Sequence, residues 1–175
     1  MSHNIKMSIL KSVKAGKYSK CTLFPKTKDE LKAMIGAEIR KNGYNCSLNH
    51  IDTSEITDMS GLFIYSVFNG DISEWDVSRV KNMSYMFYDS QFNQDISNWN
   101  VKSVVDMSCM FGLANFNRDI SKWDISNVYD MNRMFLNSYM TQDLSKWRIN
   151  VQKTNILYMF KDTFIKEEHK PIFIF

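Results

Sequence analysis

Glycine, proline and cysteine are scarce in this chain, with six, two and three copies among 175 residues. The few glycines form no G-x-G-x-x-G or P-loop motif that would hold a nucleotide phosphate. Cys21, Cys46 and Cys109 form no CxxC pair, so the sequence supports neither a disulfide framework nor a zinc site. We therefore expect reduced thiols, no metal and no cofactor.

Long apolar runs are also missing. No stretch approaches the roughly 18 apolar residues of a membrane-spanning helix, and the N-terminus lacks the apolar core of a secretory signal. His3, His50 and His169 are scattered and form no Ser/His/Asp or Cys/His grouping. These absences predict a cytoplasmic protein that is neither membrane-bound nor an enzyme.

Charge is unevenly spread along the chain. Residues 1–45 carry ten Lys/Arg against three Asp/Glu, whereas residues 46–175 carry twelve against sixteen. A basic N-terminal head on a mildly acidic body is compatible with nucleic-acid binding. We favour a solvated lysine-rich end and keep nucleic acid as an alternative partner.

What the chain does have is one pattern written four times with a period of 24 residues. A unit of this size cannot bury its apolar face alone, so neighbouring repeats must complete one another's core. The period slips to 25 before Met159-Phe160. The clearest columns are Trp75, Trp99, Trp123 and Trp147; Met59, Met83, Met107 and Met131; and Asp71, Asp95, Asp119 and Asp143.

Each repeat contains two local patterns. Val104, Met107, Met110 and Phe111 follow helical spacing and predict a short helix. The Asp-Ile-Ser phrases predict strands that lie side by side in one parallel sheet. One strand and one short helix per 24 residues indicate an α/β leucine-rich-repeat solenoid. The predicted strands lie at Asp71–Ser73, Asp95–Ser97, Asp119–Ser121 and Asp143–Ser145.

A longer amphipathic helix is predicted over residues 28–42, with Leu31, Ile35 and Ile39 on one face. Thr27 and Glu30 have capping-box spacing, and Gly43 follows the helix end. We expect a basic N-terminal helical cap over residues 1–45 and a solenoid of about five 24-residue rungs over residues 46–165. Residues 166–175 form a C-terminal cap or tail that closes the last edge or pairs with another chain.

The phrases Asn93–Val101 and Asp106–Phe111 resemble the repeat of BspA-like leucine-rich-repeat surface proteins, F-N-x-D-I-S-x-W-[DN]-V-S. The resemblance covers about residues 46–165, and Lys26–Leu31 with Leu48–Ser54 is similar to that family's entry cap. It implies a solenoid that binds proteins, often as a surface lipoprotein or adhesin, and no enzymatic activity.

Three sets of side chains are candidates for function. The Trp column is either an aromatic platform or, as we favour, part of the core. Like charges repel within the Asp ladder of Asp71, Asp95, Asp119 and Asp143, so other groups must offset them. Hydrogen bonds to turn backbone are the interpretation we favour, and recognition of a partner or binding of a metal are the alternatives. Tyr85, Tyr88 and Tyr129 do not follow the period and are predicted to be exposed partner-binding residues.

The sequence therefore predicts an intracellular protein-binding module that acts by rigid-surface recognition, as an inhibitor, immunity or adaptor protein, with a phage or mobile-element origin as one source. The alternatives are a nucleic-acid-binding protein that uses the basic head and a surface adhesin. Oligomerisation through the C-terminal tail is a further expectation.

Overall fold

The computed structural model describes residues 20–175. Within that range the regular elements are helix α1 (Lys28–Asn42), strand β1 (Arg148–Asn150), a 3-10 helix (Glu167–His169) and strand β2 (Ile172–Ile174). The two strands pair with each other in parallel, and the remaining described chain consists of turns, bends and irregular backbone. The predicted α/β leucine-rich-repeat solenoid, with its parallel sheet of short strands and its short helices, is therefore wrong.

The segments predicted to be strands are turns. In each, the Asp Oδ1 accepts a hydrogen bond from the backbone NH of the Ser two residues later, with N–O distances of 2.8–2.9 Å. An Asp side chain that bonds nearby backbone in this way closes a turn and competes with strand pairing. The segments that were predicted as strands and are turns are Asp71–Ser73, Asp95–Ser97, Asp119–Ser121 and Asp143–Ser145.

The short helices predicted beside the Met column are also replaced by turns. In each repeat, the residues two and six positions after the Met column have left-handed φ angles between 49° and 62°. Tyr85 and Asp89 are one such pair, and Cys109 and Leu113 are the next. A left-handed residue at every fourth position interrupts a right-handed helix, because L-residues visit this region singly.

Alternate NH groups of these turn segments donate to carbonyl groups of the next repeat. Isolated parallel bridges mark the same register, from Asp58–Asn82 to Asp130–Asn155. We call this set of bonds the backbone ladder; it joins neighbouring repeats in register without forming regular strands. Its first four bonds run from the NH groups of Met59, Gly61, Phe63 and Tyr65 to the carbonyls of Asn82, Ser84, Met86 and Tyr88, each at 2.9 Å.

The core consists of columns of equivalent side chains from successive repeats. The four indoles are buried, so the core interpretation of the Trp column is confirmed. Three of them donate from Nε1 to a carbonyl 27 residues earlier, at 3.0–3.2 Å. A second column consists of rings that stack at centroid distances of 5.5–5.8 Å, namely Phe63, Phe87, Phe111, Phe135 and Phe160.

Helix α1 has the predicted bounds and caps. Thr27 Oγ1 accepts from the NH of Glu30 at 3.2 Å, and Gly43 ends the helix with a φ of 83°. Leu31 and Ile35 are buried in the main core, which confirms the predicted apolar face.

The C-terminal tail is paired within the chain. Ile172–Ile174 lies in parallel with Arg148–Asn150, and the NH of Ile172 donates to the carbonyl of Trp147 at 3.0 Å. The tail therefore closes part of the last edge, as one of the two predicted arrangements requires. Pairing of the tail with another chain stays a prediction.

Candidate functional site

The Asp ladder lies at one of three corners where an Asp or Asn side chain closes a turn in each repeat. At the other corners Asp76 bonds the NH of Ser78 at 3.0 Å, and Asp58 bonds the NH of Ser60 at 2.8 Å. Asn82 does the same for Ser84 at 2.8 Å, so an amide side chain can serve in this role. The turn-bonding interpretation of Asp71, Asp95, Asp119 and Asp143 has direct structural support, and recognition by them stays a prediction.

Hydrogen bonds and nearby cations offset the like charges of this ladder. The backbone NH and then the hydroxyl of Ser97 lower the pKa of Asp95, and Arg118 lowers it further. Ser121 lowers the pKa of Asp119 in the same way. Among residues 20–175 no group of three or more His, Cys, Asp or Glu side chains is placed to hold a metal ion. The positive side chains that lower the pKa values of Asp95, Asp119 and Asp143 are Arg118, Lys122 and Lys146.

A column of amides runs beside the Asp ladder and fixes its spacing. Asn69 Oδ1 accepts from the NH of Asn93 at 2.8 Å, and Asn93 Oδ1 accepts from the NH of Asn117 at 2.9 Å. Asn117 Oδ1 then accepts from the NH of Thr141 at 3.0 Å. These amide side chains connect successive repeats, so their hydrogen-bonding groups stabilise the fold.

A second surface is aromatic. Tyr65 and Tyr88 meet edge to face with ring centroids 5.9 Å apart, and Tyr85 lies 5.5 Å from Tyr88. Tyr65 is 68% and Tyr85 42% exposed, whereas Tyr88 is half-buried between them. The structure thus brings together two of the three predicted tyrosines and adds Tyr65.

The cluster continues into the following repeats. A hydrogen bond with the Cys109 thiol raises the pKa of Tyr85, and burial raises the pKa of Tyr88. The charge of Arg133 acts on both phenols, and its guanidinium lies 5.4 Å from the ring centroid of Tyr158. We call this surface the tyrosine face; it consists of Tyr65, Tyr85, Tyr88, Arg133 and Tyr158, and the buried Cys109 supports it from the repeat between Tyr88 and Arg133.

A glycine makes room for the centre of the tyrosine face. A Cβ atom on Gly112 would lie 3.0 Å from the Cδ2 and Cε2 atoms of Tyr88. The equivalent positions in neighbouring repeats carry Tyr88 and Leu136, so the backbone there accepts a side chain. Gly112 therefore serves the placement of the Tyr88 ring.

Tyr129 lies elsewhere. It is 62% exposed, as predicted, but no ring contact within residues 20–175 joins it to the tyrosine face. Its backbone NH donates to the carbonyl of Val105 at 2.8 Å, at the start of the next turn segment. A binding role for Tyr129 stays a prediction.

The sequence pattern also relates Arg133 and Tyr158 to Tyr85. Tyr85, Cys109 and Arg133 are 24 residues apart, and Tyr158 follows 25 later, across the slip in the period. Each is two positions after the Met column, so a variable column was present among the fixed ones. The pairing of Tyr65 with Tyr88 was not detectable in this way, because Tyr65 lies six residues after the Met column and Tyr88 lies five residues after it.

The predictions about cellular location and nucleic-acid binding are tested only in part or not at all. No helix within the described part of the chain is long and apolar enough to cross a bilayer; the cytoplasmic location stays a prediction. Of the basic cluster of Lys6, Lys11, Lys14, Lys17 and Lys20, all but Lys20 lie outside the described residues, so nucleic-acid binding by the head stays a prediction as well.

Comparison with known proteins gives a family without an activity. A family model described as a Mycoplasma protein of unknown function, DUF285, matches residues 30–147 and, in an overlapping match, residues 89–169. No curated protein and no solved structure matches the chain. The matched region contains helix α1, the Asp ladder and the tyrosine face.

Proposed function

The chain belongs to the family of Mycoplasma proteins of unknown function, DUF285, and on that premise we propose that it is a non-enzymatic protein-binding module whose tyrosine face contacts the partner. The observation that carries the proposal is the continuity of that face. Ring contacts join Tyr65, Tyr88 and Tyr85, the charge of Arg133 acts on Tyr85 and Tyr88, and a cation–π contact joins Arg133 to Tyr158.

The side-chain types on this face suit protein recognition. Tyr and Arg are enriched at binding hot spots, because they combine a large contact area with directional hydrogen bonds. Tyr85 and Tyr88 have pKa values above the ordinary value of 10.0, and a phenol with such a pKa is neutral near pH 7, so each hydroxyl can donate as well as accept.

The backbone ladder also supports this proposal, because it holds the backbone under the tyrosine face in place. Tyr85 and Arg133 donate their own NH groups to the next repeat, at 2.9 Å each, which fixes the backbone that carries their side chains. A surface ordered before binding loses less conformational entropy when the partner arrives. This arrangement supports the proposal of rigid-surface recognition.

We also propose a relationship to the BspA-like repeat surface proteins, supported by the phrase Asn93–Val101 and by the family match over residues 30–147. Within this proposal an inhibitor, immunity, adaptor or adhesin-type role would use the same face. These roles differ in the partner and in where the protein meets it.

The test is recovery of a partner from native cells by affinity purification and mass spectrometry, followed by binding measurements on single variants. Tyr65→Ala removes a ring from the tyrosine face, whereas Tyr129→Ala removes a similarly exposed ring outside it. We expect Tyr65→Ala to weaken binding by at least about tenfold, the size of a hot-spot loss, and Tyr129→Ala to leave it unchanged.

Gly112→Ala sharpens this test, because it should displace the Tyr88 ring while leaving every exposed side chain in place. Weaker binding with unchanged melting is the expected result. Loss of binding in Tyr129→Ala alone would move the site away from the tyrosine face. A nucleic-acid partner, with affinity that falls steeply with salt, would replace the proposal by its alternative.

A further inference from the structure

The backbone ladder runs in one direction. In each of its four steps, NH groups of the earlier repeat donate to carbonyls of the later one. The step that begins at Met131 shows the rule, since the NH groups of Met131, Arg133, Phe135 and Asn137 donate at 2.8–3.0 Å. Each turn segment therefore presents its donors toward the C-terminal end of the stack.

The last turn segment has no later repeat to accept its hydrogen bonds. Its equivalent NH groups, which we call the donor edge, are those of Ile156, Tyr158, Phe160 and Asp162. They donate to no carbonyl among residues 20–175. Strand β2 does not reach them, because it pairs with Arg148–Asn150 instead.

The donor edge is more exposed than the equivalent segment inside the stack. Ile156 and Phe160 are half-buried, whereas Met131 and Phe135, their equivalents one repeat earlier, are at most 1% exposed. Leu157, between the first two donors, is 54% exposed. An open edge with unpaired backbone groups is a template for another chain.

The donor edge selects its ligand by offering donors alone. An extended strand presents both NH and carbonyl groups along each side, so its backbone would set NH groups against NH groups. A carboxylate presents acceptors only. Its bonds to backbone NH groups are charge-assisted and stronger than bonds between neutral groups. Acidic side chains therefore fit this edge better than another strand's backbone.

The spacing of the donors matches side chains on one face of an extended segment. Donors two residues apart along a chain are separated by at most about 7 Å. In a strand, side chains two residues apart point to the same face and lie about 6.6–6.8 Å apart. Carboxylates at alternate positions of such a segment can therefore meet successive donors.

Lys161 adds a positive charge beside this edge. Its Nζ lies 5.2 Å from the ring centroid of Tyr158, and it forms no ion pair within residues 20–175. Asp162 places a carboxylate at the far end of the edge, so the first three donors are the favourable ones.

The acidic residues that follow are already paired. Glu167 accepts from Lys170, and Glu168 lies 3.9 Å from Lys166. Single-stranded nucleic acid also offers acceptors, but its sites are grooves lined by several positive charges. With Lys161 as the unpaired cation here, a protein segment is the better match.

We propose that the donor edge binds an extended acidic segment of another protein. In that segment, Asp or Glu at every second position accepts from the NH groups of Ile156, Tyr158 and Phe160. The proposal does not rest on the tyrosine face, because it uses the backbone of Tyr158 and not its ring.

Nuclear magnetic resonance of the full chain tests this with a synthetic probe. The probe is an acetylated and amidated five-residue peptide with Asp at the first, third and fifth positions and Thr between them. The amide signals of Ile156, Tyr158 and Phe160 should shift and saturate, whereas those of Met83 and Phe87, which already donate within the ladder, should stay in place.

A peptide of the same composition with its three Asp residues adjacent is the matched control. It should bind at least about tenfold more weakly, the loss expected for one charge-assisted hydrogen bond. Equal affinity of the two peptides would show charge attraction without register and overturn the proposal. So would the absence of shifts at the three donors.

Variants separate this site from other surfaces. Lys161→Glu should weaken peptide binding at least about threefold, as reversal of an exposed charge does. Lys32→Glu, the same change on helix α1, should leave it unchanged, and so should Tyr65→Ala on the tyrosine face. Equal losses in Lys161→Glu and Lys32→Glu would overturn the proposal.

A four-nucleotide oligothymidylate carries the same three charges as the peptide and tests the other class of ligand. We expect it to bind more weakly than the peptide with alternate Asp residues. Tighter binding at the three donors would assign the edge to nucleic acid and overturn the proposal.

Discussion

The interior repeats and the two C-terminal repeats, which contain Trp147 and Phe160, carry the same residue types in different surroundings. Trp99 Nε1 donates to the carbonyl of Ile72 at 3.2 Å, whereas Trp147 Nε1 is buried without a hydrogen-bond partner among the described residues. Phe87 stacks on a ring on each side, and Phe160 stacks on one. Phe160 lacks the later ring that completes the stack at Phe87, whereas Trp147 lacks its hydrogen bond although the preceding repeat is present, so one sequence pattern gives unequal stabilisation by position.

The largest expected effect is in the interior. Trp99→Ala should lower the free energy of unfolding by about 3–5 kcal/mol, because it empties a buried site and leaves the Ile72 carbonyl without its donor. Chemical denaturation measures this loss. A variant as stable as the parent would mean that interior repeats do not depend on the Trp column.

The junction between the N-terminal part and the first repeat should come next. A Cβ atom on Gly70 would lie 1.9 Å from the carbonyl oxygen of Cys46, so Gly70→Ala must move backbone and should cost about 1–3 kcal/mol or more. Gln94→Ala is the comparison, since Gln94 occupies the equivalent place one repeat later; it places a Cβ there without a clash and removes only the Nε2 bonds to Asn69 at 3.0–3.1 Å. Equal melting temperatures for the two variants would contradict the tight junction.

Replacing indoles by phenyl rings compares the two regions directly. Trp123→Phe removes the bond from Nε1 to the Ile96 carbonyl at 3.2 Å. Trp147→Phe removes no such bond, and it eliminates a buried NH donor that has no partner among the described residues. The loss of volume is common to both, so Trp123→Phe should be the more destabilising by about 0.5–1.5 kcal/mol. The reverse order in urea titrations would show that the last repeat is as complete as the interior.

The smallest effect concerns charge. The native-state pKa values of Asp95 and Asp119 lie below the ordinary value of 3.8. Their contribution to stability is therefore complete above that value and is lost as pH falls through the lower native-state pKa. Changing both to Asn keeps the turn, as Asn82 does for Ser84, and removes the titrating charge.

We expect the double variant to melt close to the parent at pH 7 and to show a smaller fall in melting temperature between pH 5 and pH 2. Thermal melts across this range measure it. Binding of a recovered partner by the same variant tests the recognition role of the ladder. An unchanged pH dependence would mean that these carboxylates do not contribute to acid sensitivity.

Much of the fold was visible in the sequence, namely the bounds of helix α1, the buried columns and the slip before Met159. The local backbone was not. Val104, Met107 and Phe111 have the spacing of one helix face, but turns with left-handed residues bury the same positions. Periodicity reports which side chains are inside and cannot distinguish two backbones that bury the same ones.

The candidate site was predictable in part for a similar reason. Tyr85 and Tyr88 were found because they depart from the repeat, whereas Arg133 was not, because an isolated Arg carries no signal until its column is aligned. The ring contact between Tyr65 and Tyr88 depends on the offset between repeats in space. That offset is set by the ladder, which is built from backbone groups common to every residue type.

The left-handed position two residues after the Met column has a consequence for how such a protein diversifies. It holds Gly61, Tyr85, Cys109, Arg133 and Tyr158 with φ angles of 55–62°. Ladder bonds at this position use backbone atoms alone, so residue identity and fold are nearly uncoupled wherever the side chain reaches the surface, at the cost of about 1–2 kcal/mol for each non-glycine residue. Cys109 is buried and is the exception. A lineage, or a designed library, can therefore exchange the other side chains of this column one at a time and explore new partners on an unaltered backbone.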